Sequence, residues 1–189
     1  MERRAAITGL VVSLAATAAL GVAAGLIWGQ VAPRAQLQEV SAGVAQVVNA
    51  ETRAFIGADG WFCLIAAVGG VVTGTCGYLL GIRRRGNVTQ AAVTSGLILG
   101  AVAASFVMRW LGERSGYQAY QHQVAQAAAG ATFSASLALG AKSALAFWPL
   151  FTSLVIILAE VGRRRRDPAP ELDPMSSMWT DPRGSGGAP

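Results

Sequence analysis

Long apolar runs alternate with shorter polar stretches along this chain, and the alternation predicts its elements. The clearest run covers residues 60–82, carries no charge, and stops at Arg83, Arg84 and Arg85. About 20 residues at 1.5 Å each cross the roughly 30 Å hydrocarbon core of a bilayer, so this run predicts a transmembrane helix. Residues 5–29 and 89–110 predict two more. The last apolar run, residues 131–162, is longer than one crossing. Its part 143–161 is expected to span and the remainder to lie at the interface. The first run also exceeds the roughly 7–15 apolar residues of a secretory leader, which favours a retained helix.

The polar stretches between the runs have a period of their own. Leu37, Val40, Val44, Val47 and Val48 recur at intervals of three and four among Gln36, Gln38, Glu39, Gln46 and Asn49, the stripe of an amphipathic helix. Tyr117, Tyr120, Val124 and Ala127 or Ala128 repeat the pattern among Gln118, Gln121, Gln123 and Gln126. The expected fold is therefore all-α: an integral membrane bundle of four transmembrane helices with two extracytoplasmic amphipathic helices. The bundle takes residues 1–162. Residues 163–189, with several Pro, Asp, Ser and Gly, are expected to form a disordered cytoplasmic tail. Met178 and Trp179 there offer a short docking motif or plain solvated chain. The chain also reads as two similar halves, each a span out, an external segment and a span back, which suggests a parallel repeat.

Charge sets the expected orientation. Arg3, Arg4, Arg83, Arg84, Arg85, Arg163, Arg164, Arg165 and Arg166 all fall on one side of a four-span topology, and Arg-rich short loops are retained in the cytoplasm. Both termini are then cytoplasmic and the protein is multi-pass in the plasma membrane. Trp28, Trp61, Trp110 and Trp148 fall near the opposite ends of their spans, as an aromatic belt at the outer interface would. The net charge of +5 belongs to these Arg clusters beside apolar runs, a pattern that speaks for lipid headgroups and against nucleic acid.

Small residues are the most abundant candidate contacts. Gly21, Gly25 and Gly29, Gly70 and Gly74, Gly77 and Gly81, and Gly96 and Gly100 each recur at four-residue spacing on a predicted span. Glycines so spaced share a helix face and let another backbone approach closely, either inside the bundle or across a dimer or partner interface. The expected partners are the bilayer and either a second copy or another membrane protein.

Candidate chemistry is sparse. The midpoints of the spans fall near Thr17, Val71, Leu99 and Thr152, none of them ionisable, which counts against ion-coupled transport. Thr73, Thr75, Thr152 and Ser153 remain the polar groups with which a path would be lined. Asp59 and Lys142 occupy similar depths at the outer mouths of spans two and four. They are expected either to pair or to leave Lys142 extended to the interface on its own stem. Arg109 lies near the same mouth, while Glu160 is expected to neutralise Arg163 and Arg164. Cys63 and Cys76, thirteen positions apart on one helix, are too distant to form a disulfide together. His122, Glu51, Glu113, Ser134, Ser136 and Ser143 form no catalytic or metal-ligating motif, so neither an enzyme nor a metal or cofactor site is expected.

Two further stretches carry a resemblance. Phe55, Ala58, Asp59 and Gly60 precede a Gly-rich span that ends in Arg83–Arg85, and Lys142, Ser143, Ala144, Phe147, Trp148, Pro149 and Leu150 open the last span. In these the chain resembles small four-span actinobacterial membrane proteins grouped as a domain of unknown function. The likeness covers the membrane part and not the tail. It implies a plasma-membrane location and no assigned activity. The function expected from the sequence is that of a non-enzymatic accessory or assembly component of a cell-envelope complex. The alternative is a small oligomeric transporter, channel or lipid-binding protein, with Tyr117, Tyr120 and the tryptophans holding a headgroup.

Overall fold

The computed structural model describes residues 2–41, 44–47, 54–82, 87–126 and 132–166. Four helices dominate it: α1 (Glu2–Val31), α2 (Ala54–Gly77), α3 (Asn87–Gln126) and α4 (Phe147–Arg166). α2 runs on into a π-helical turn, Tyr78–Ile82, and a 3-10 turn, Lys142–Ala146, leads into α4. The stretches Arg3–Val31, Ile56–Gly81, Thr89–Ser115 and Lys142–Arg165 are each long and apolar enough to cross a bilayer, the architecture of a multi-pass membrane protein. A helix suits that setting because it satisfies its own backbone polar groups where no water can. Large apolar side chains such as Val12, Leu26, Leu64, Phe106 and Ile157 point outward, as they do when lipid is the solvent.

The helices pack as two parallel pairs, α1 with α3 and α2 with α4. Glycine determines how closely each pair approaches. A Cβ on Gly21 would lie 2.7 Å from Ala104 Cα, and one on Gly25 2.8 Å from the Met108 carbonyl oxygen. Gly29 faces Ser115 and Gly112, and Gly96 and Gly100 of α3 meet Leu10 and Leu14 of α1 in return. In the second pair Gly70 lies against the Trp148 carbonyl and Gly74 against Val155, while Gly77 and Gly81 face Leu97 and Val93 of α3. The small-residue faces are thus occupied by neighbouring helices of the same chain. Hydrogen bonds across the pairs join residues at nearly constant sequence separation: 80 for Ser13 to Val93, 81 for Tyr78 to Ala159, and 82 for Thr152 to Gly70. Two hairpins of equal span, stacked at the same depth, give that regularity.

The first of the two stretches expected to be amphipathic helices corrects the sequence reading. Residues 36–47 form strands β1 (Gln36–Ser41) and β2 (Val44–Val47), not an amphipathic helix. Leu37 pairs with Val47, Gln38 with Gln46 and Glu39 with Ala45, and a bulge falls between Glu39 and Ser41. A third strand, β3 (Thr132–Ser134), adds antiparallel to β1 in the order β2-β1-β3. The three- and four-residue spacing is real, but its apolar members are mostly valine, whose branched Cβ favours extended chain. A two-stranded hairpin is marginal alone, and β3, from about a hundred residues away, supplies the third strand.

The second of these stretches is helical but not separate. α3 continues unbroken to Gln126 and spans 40 residues. At 1.5 Å per residue that is about 60 Å, twice the hydrocarbon thickness, so its last turns overhang the bundle. The sheet and the overhang form a head at one end. Residues 135–141 run extended down its side, and α4 keeps its helical form through Arg166, past the expected start of the tail. Val48, Asn49, Glu51, Arg83–Arg85, Ala127, Ala128 and residues 167–189 lie outside the described residues, as do the side chains of Tyr120, His122 and Val124. At the opposite end, Glu160 holds Arg163 at 2.6 Å and Arg164 at 3.3 Å, matching the role expected of it.

Candidate functional site

Side-chain hydrogen bonds tie together the junction between head and bundle. Trp28, near the end of α1, is fully buried at 0% exposure and donates its Nε1–H to the Ala58 carbonyl of α2 at 2.9 Å. Phe62, one turn on, meets the indole edge-on at 5.2 Å between ring centroids. Gly112 of α3 makes room for that indole, since a Cβ there would collide with its six-membered ring. Trp148 is likewise buried, at 1%, over Gly69, and its Nε1–H reaches Thr73 Oγ1 at 3.3 Å. Both residues therefore leave the aromatic belt expected from sequence. They are core anchors, while Trp61 and Trp110, 43% and 59% exposed, remain on the surface. An indole can be buried because its one polar group finds a partner.

Asp59 and Lys142 come near one another along the chain, but as something other than an ion pair. The half-buried Asp59 carboxylate accepts the backbone N–H of Gly140 and of Ala141, each at 2.9 Å. It pins the extended segment just before the 3-10 turn. The exposed Lys142 takes no part, and the ion pairs found among the described residues are Arg109–Glu113 and Glu160 with Arg163 and Arg164. Glu113 does the same work on α3: it accepts Arg109 Nε at 3.0 Å and the Leu139 N–H at 3.1 Å. Two carboxylates from two helices thus fasten residues 139–141, a role that only backbone geometry reveals.

These contacts give a test. Asp59→Asn keeps one acceptor for two donors, and the expected loss is about 1–3 kcal/mol of thermal stability in detergent. Lys142→Met should stay within about 0.5 kcal/mol of the parent. The exchanged double variant, Asp59→Lys with Lys142→Asp, should melt no higher than Asp59→Lys alone. Recovery in the exchange would restore the ion-pair reading.

The buried hydroxyls in the middle of the bundle are bonded within it. The hydroxyls of Thr17, Ser105 and Thr152 are buried and bond to the carbonyls of Ser13, Ala101 and Gly70. Among the described residues every buried side-chain polar atom has a partner. Thr75 and Cys76 are exposed, Cys63 is half-buried, and both thiols are free.

Among the described residues, two concave places stand out. One is a cleft of about 300 Å³ between the apolar parts of α1, α2, the π-helical turn and α3. Ser13, Ala16, Thr17, Thr73, Cys76 and Leu80 are among its walls, so it is largely apolar with a few hydroxyls. Its lining takes in Thr17 and Thr73 but not Thr75, Thr152, Ser153 or Asp59, so it does not connect the polar positions of span two to those of span four or to Asp59. The other is a groove of about 640 Å³ at the head end, between the α3 overhang and residues 136–138. Arg109, Trp110, Glu113, Arg114, Tyr117, Gln121 and Ser136 face it. The Arg114 guanidinium lies 5.3 Å from the Trp110 ring centroid, and Gln121 donates to the Tyr117 hydroxyl at 2.9 Å. Sequence reading named Arg109, Glu113 and Tyr117 separately but missed Arg114, whose five-residue step from Arg109 matches no motif. No family model matches the chain, and no curated protein or solved structure is detectably similar to it.

Proposed function

We propose that this protein is a non-enzymatic component of a cell-envelope assembly, held in the plasma membrane by its four helices with both termini in the cytoplasm. The observation that carries this reading is the head. Asp59 and Glu113 fasten residues 139–141, which follow β3, to α2 and α3, so the head presents a surface in a fixed orientation. The occupied glycine faces support it too, because they leave the head as the region available to a partner. The resemblance to small actinobacterial membrane proteins agrees with such a role and adds no activity.

In-cell crosslinking tests the proposal. A photoreactive residue at Tyr117 or Gln121 should yield one stoichiometric membrane partner by mass spectrometry. Self-crosslinks alone would overturn the accessory role.

A second reading, a lipid-binding membrane protein, is favoured over a channel or transporter by the head-end groove. That groove combines guanidinium, indole and phenol groups at the level where lipid headgroups lie.

A further inference from the structure

The groove beside the α3 overhang continues downward. Leu99, Val102, Phe106 and Trp110 recur on α3 at intervals of three, four and four residues, and all are exposed. They form one apolar track along the helix from mid-span to the groove floor. The apolar stretch of α3 ends at Ser115, so Trp110 and Arg114 stand where hydrocarbon gives way to headgroups. Trp is favoured at that level because its ring is apolar and its N–H polar.

The charges in the groove are unequal. Glu113 compensates Arg109 and is further occupied by the Leu139 N–H. Arg114 is exposed, stacked on Trp110, and belongs to none of the ion pairs found among the described residues. One guanidinium without a counter-ion among the described residues therefore remains in the groove. Its planar fork matches two oxygens of a phosphate. Tyr117 already accepts from Gln121, which leaves its own O–H to donate toward the groove. Ser136 adds a hydroxyl on the facing wall. A groove of about 640 Å³ is ample for a glycerophosphate head.

We infer that this groove binds one anionic phospholipid of the leaflet at the head end, with its phosphate on Arg114 and an acyl chain along Leu99, Val102, Phe106 and Trp110. A zwitterionic lipid brings its own cation to its phosphate, whereas an anionic one leaves that charge for the guanidinium. The track argues for a lipid over a soluble anion, because a free phosphate would make no use of it. The inference rests on the lipid-binding reading and is independent of the accessory role.

The full chain in non-ionic detergent is titrated with dioleoylphosphatidylglycerol, dioleoylphosphatidylcholine or glycerol 3-phosphate, with binding followed by native mass spectrometry. Phosphatidylglycerol should bind about tenfold more tightly than phosphatidylcholine, the effect of one charge-assisted contact. R114Q should remove that preference, and Phe106→Gln should weaken both lipids. R164Q at the other end should change neither. Melting without lipid should be the same for R114Q and the parent, since Arg114 is exposed. Equal affinity for the two lipids, or a preference that survives R114Q, would overturn the site. Competition by glycerol 3-phosphate at the concentrations where the lipid binds would assign it to free anions instead. Lipid retained equally by parent and R114Q would move lipid binding elsewhere on the protein, leaving the broader reading standing and this site refuted.

Discussion

Truncation of Trp28 to alanine is expected to cost about 3–5 kcal/mol, the range for removing a fully buried large aromatic. The indole fills the space between α1, α2 and α3, edge-on to Phe62 and against Gly112. Neighbouring backbones cannot close over the gap, because Gly25 and Gly21 already bring α1 against α3. The substitution also leaves the Ala58 carbonyl without its indole donor. Trp28→Phe separates the two effects: it keeps most of the volume and loses the hydrogen bond, for a smaller expected cost of about 1–3 kcal/mol. Trp61→Ala, at an exposed position, should change little. Thermal melts of the detergent-solubilised protein read all three. A Trp28→Ala melt no lower than that of Trp61→Ala would return Trp28 to the interface.

Gly21→Leu should be at least as damaging. The first carbon of the new side chain would lie 2.7 Å from both the Cα and the carbonyl oxygen of Ala104, which are backbone atoms and cannot rotate away. Overpacking by a few methylenes usually costs about 1–3 kcal/mol, and here α1 and α3 must separate along their length. Leucine in place of glycine improves helix propensity by roughly 1 kcal/mol, which opposes the effect. Gly60→Leu and Gly162→Leu isolate that gain, since nothing lies within 4 Å of a Cβ at either position. The expected order of melting temperature places both of these at or above the parent and Gly21→Leu far below. A Gly21→Leu protein that melts with the two controls would show that the small-residue face is not a close contact.

The spans were legible because uncharged length is a one-dimensional property and the bilayer sets its threshold. Pairing was not. Nothing in residues 5–29 says that their glycines meet α3 rather than α2, since both neighbours offer small residues at the same spacing. The tryptophans show the same limit. A belt residue and a core anchor can share one depth, and the face of the helix decides between them. Trp28 does lie three and seven positions after Gly25 and Gly21, on the face that packs, whereas Trp110 continues the outward row of Phe106. That relation could have separated them. The hairpin was misread because five apolar positions fit a helical period while the pairing that decides the matter comes from Thr132–Ser134. The fastening by Asp59 was invisible for a related reason: its partners are peptide N–H groups, which every residue but proline possesses.

The separation of about 80 residues between paired positions also governs how the protein is made. Synthesis at about 5–20 residues per second places roughly 4–16 s between the emergence of Asp59 and that of Gly140 and Ala141, 81 and 82 positions later. α1 waits a similar time for α3. Through that interval the first hairpin is inserted with its glycine face open and its carboxylate unoccupied, and the insertion machinery or lipid must cover both. Completion of the head is therefore a late event in biogenesis, since β1 receives its outer neighbour and Asp59 its donors only when residues 132–141 appear.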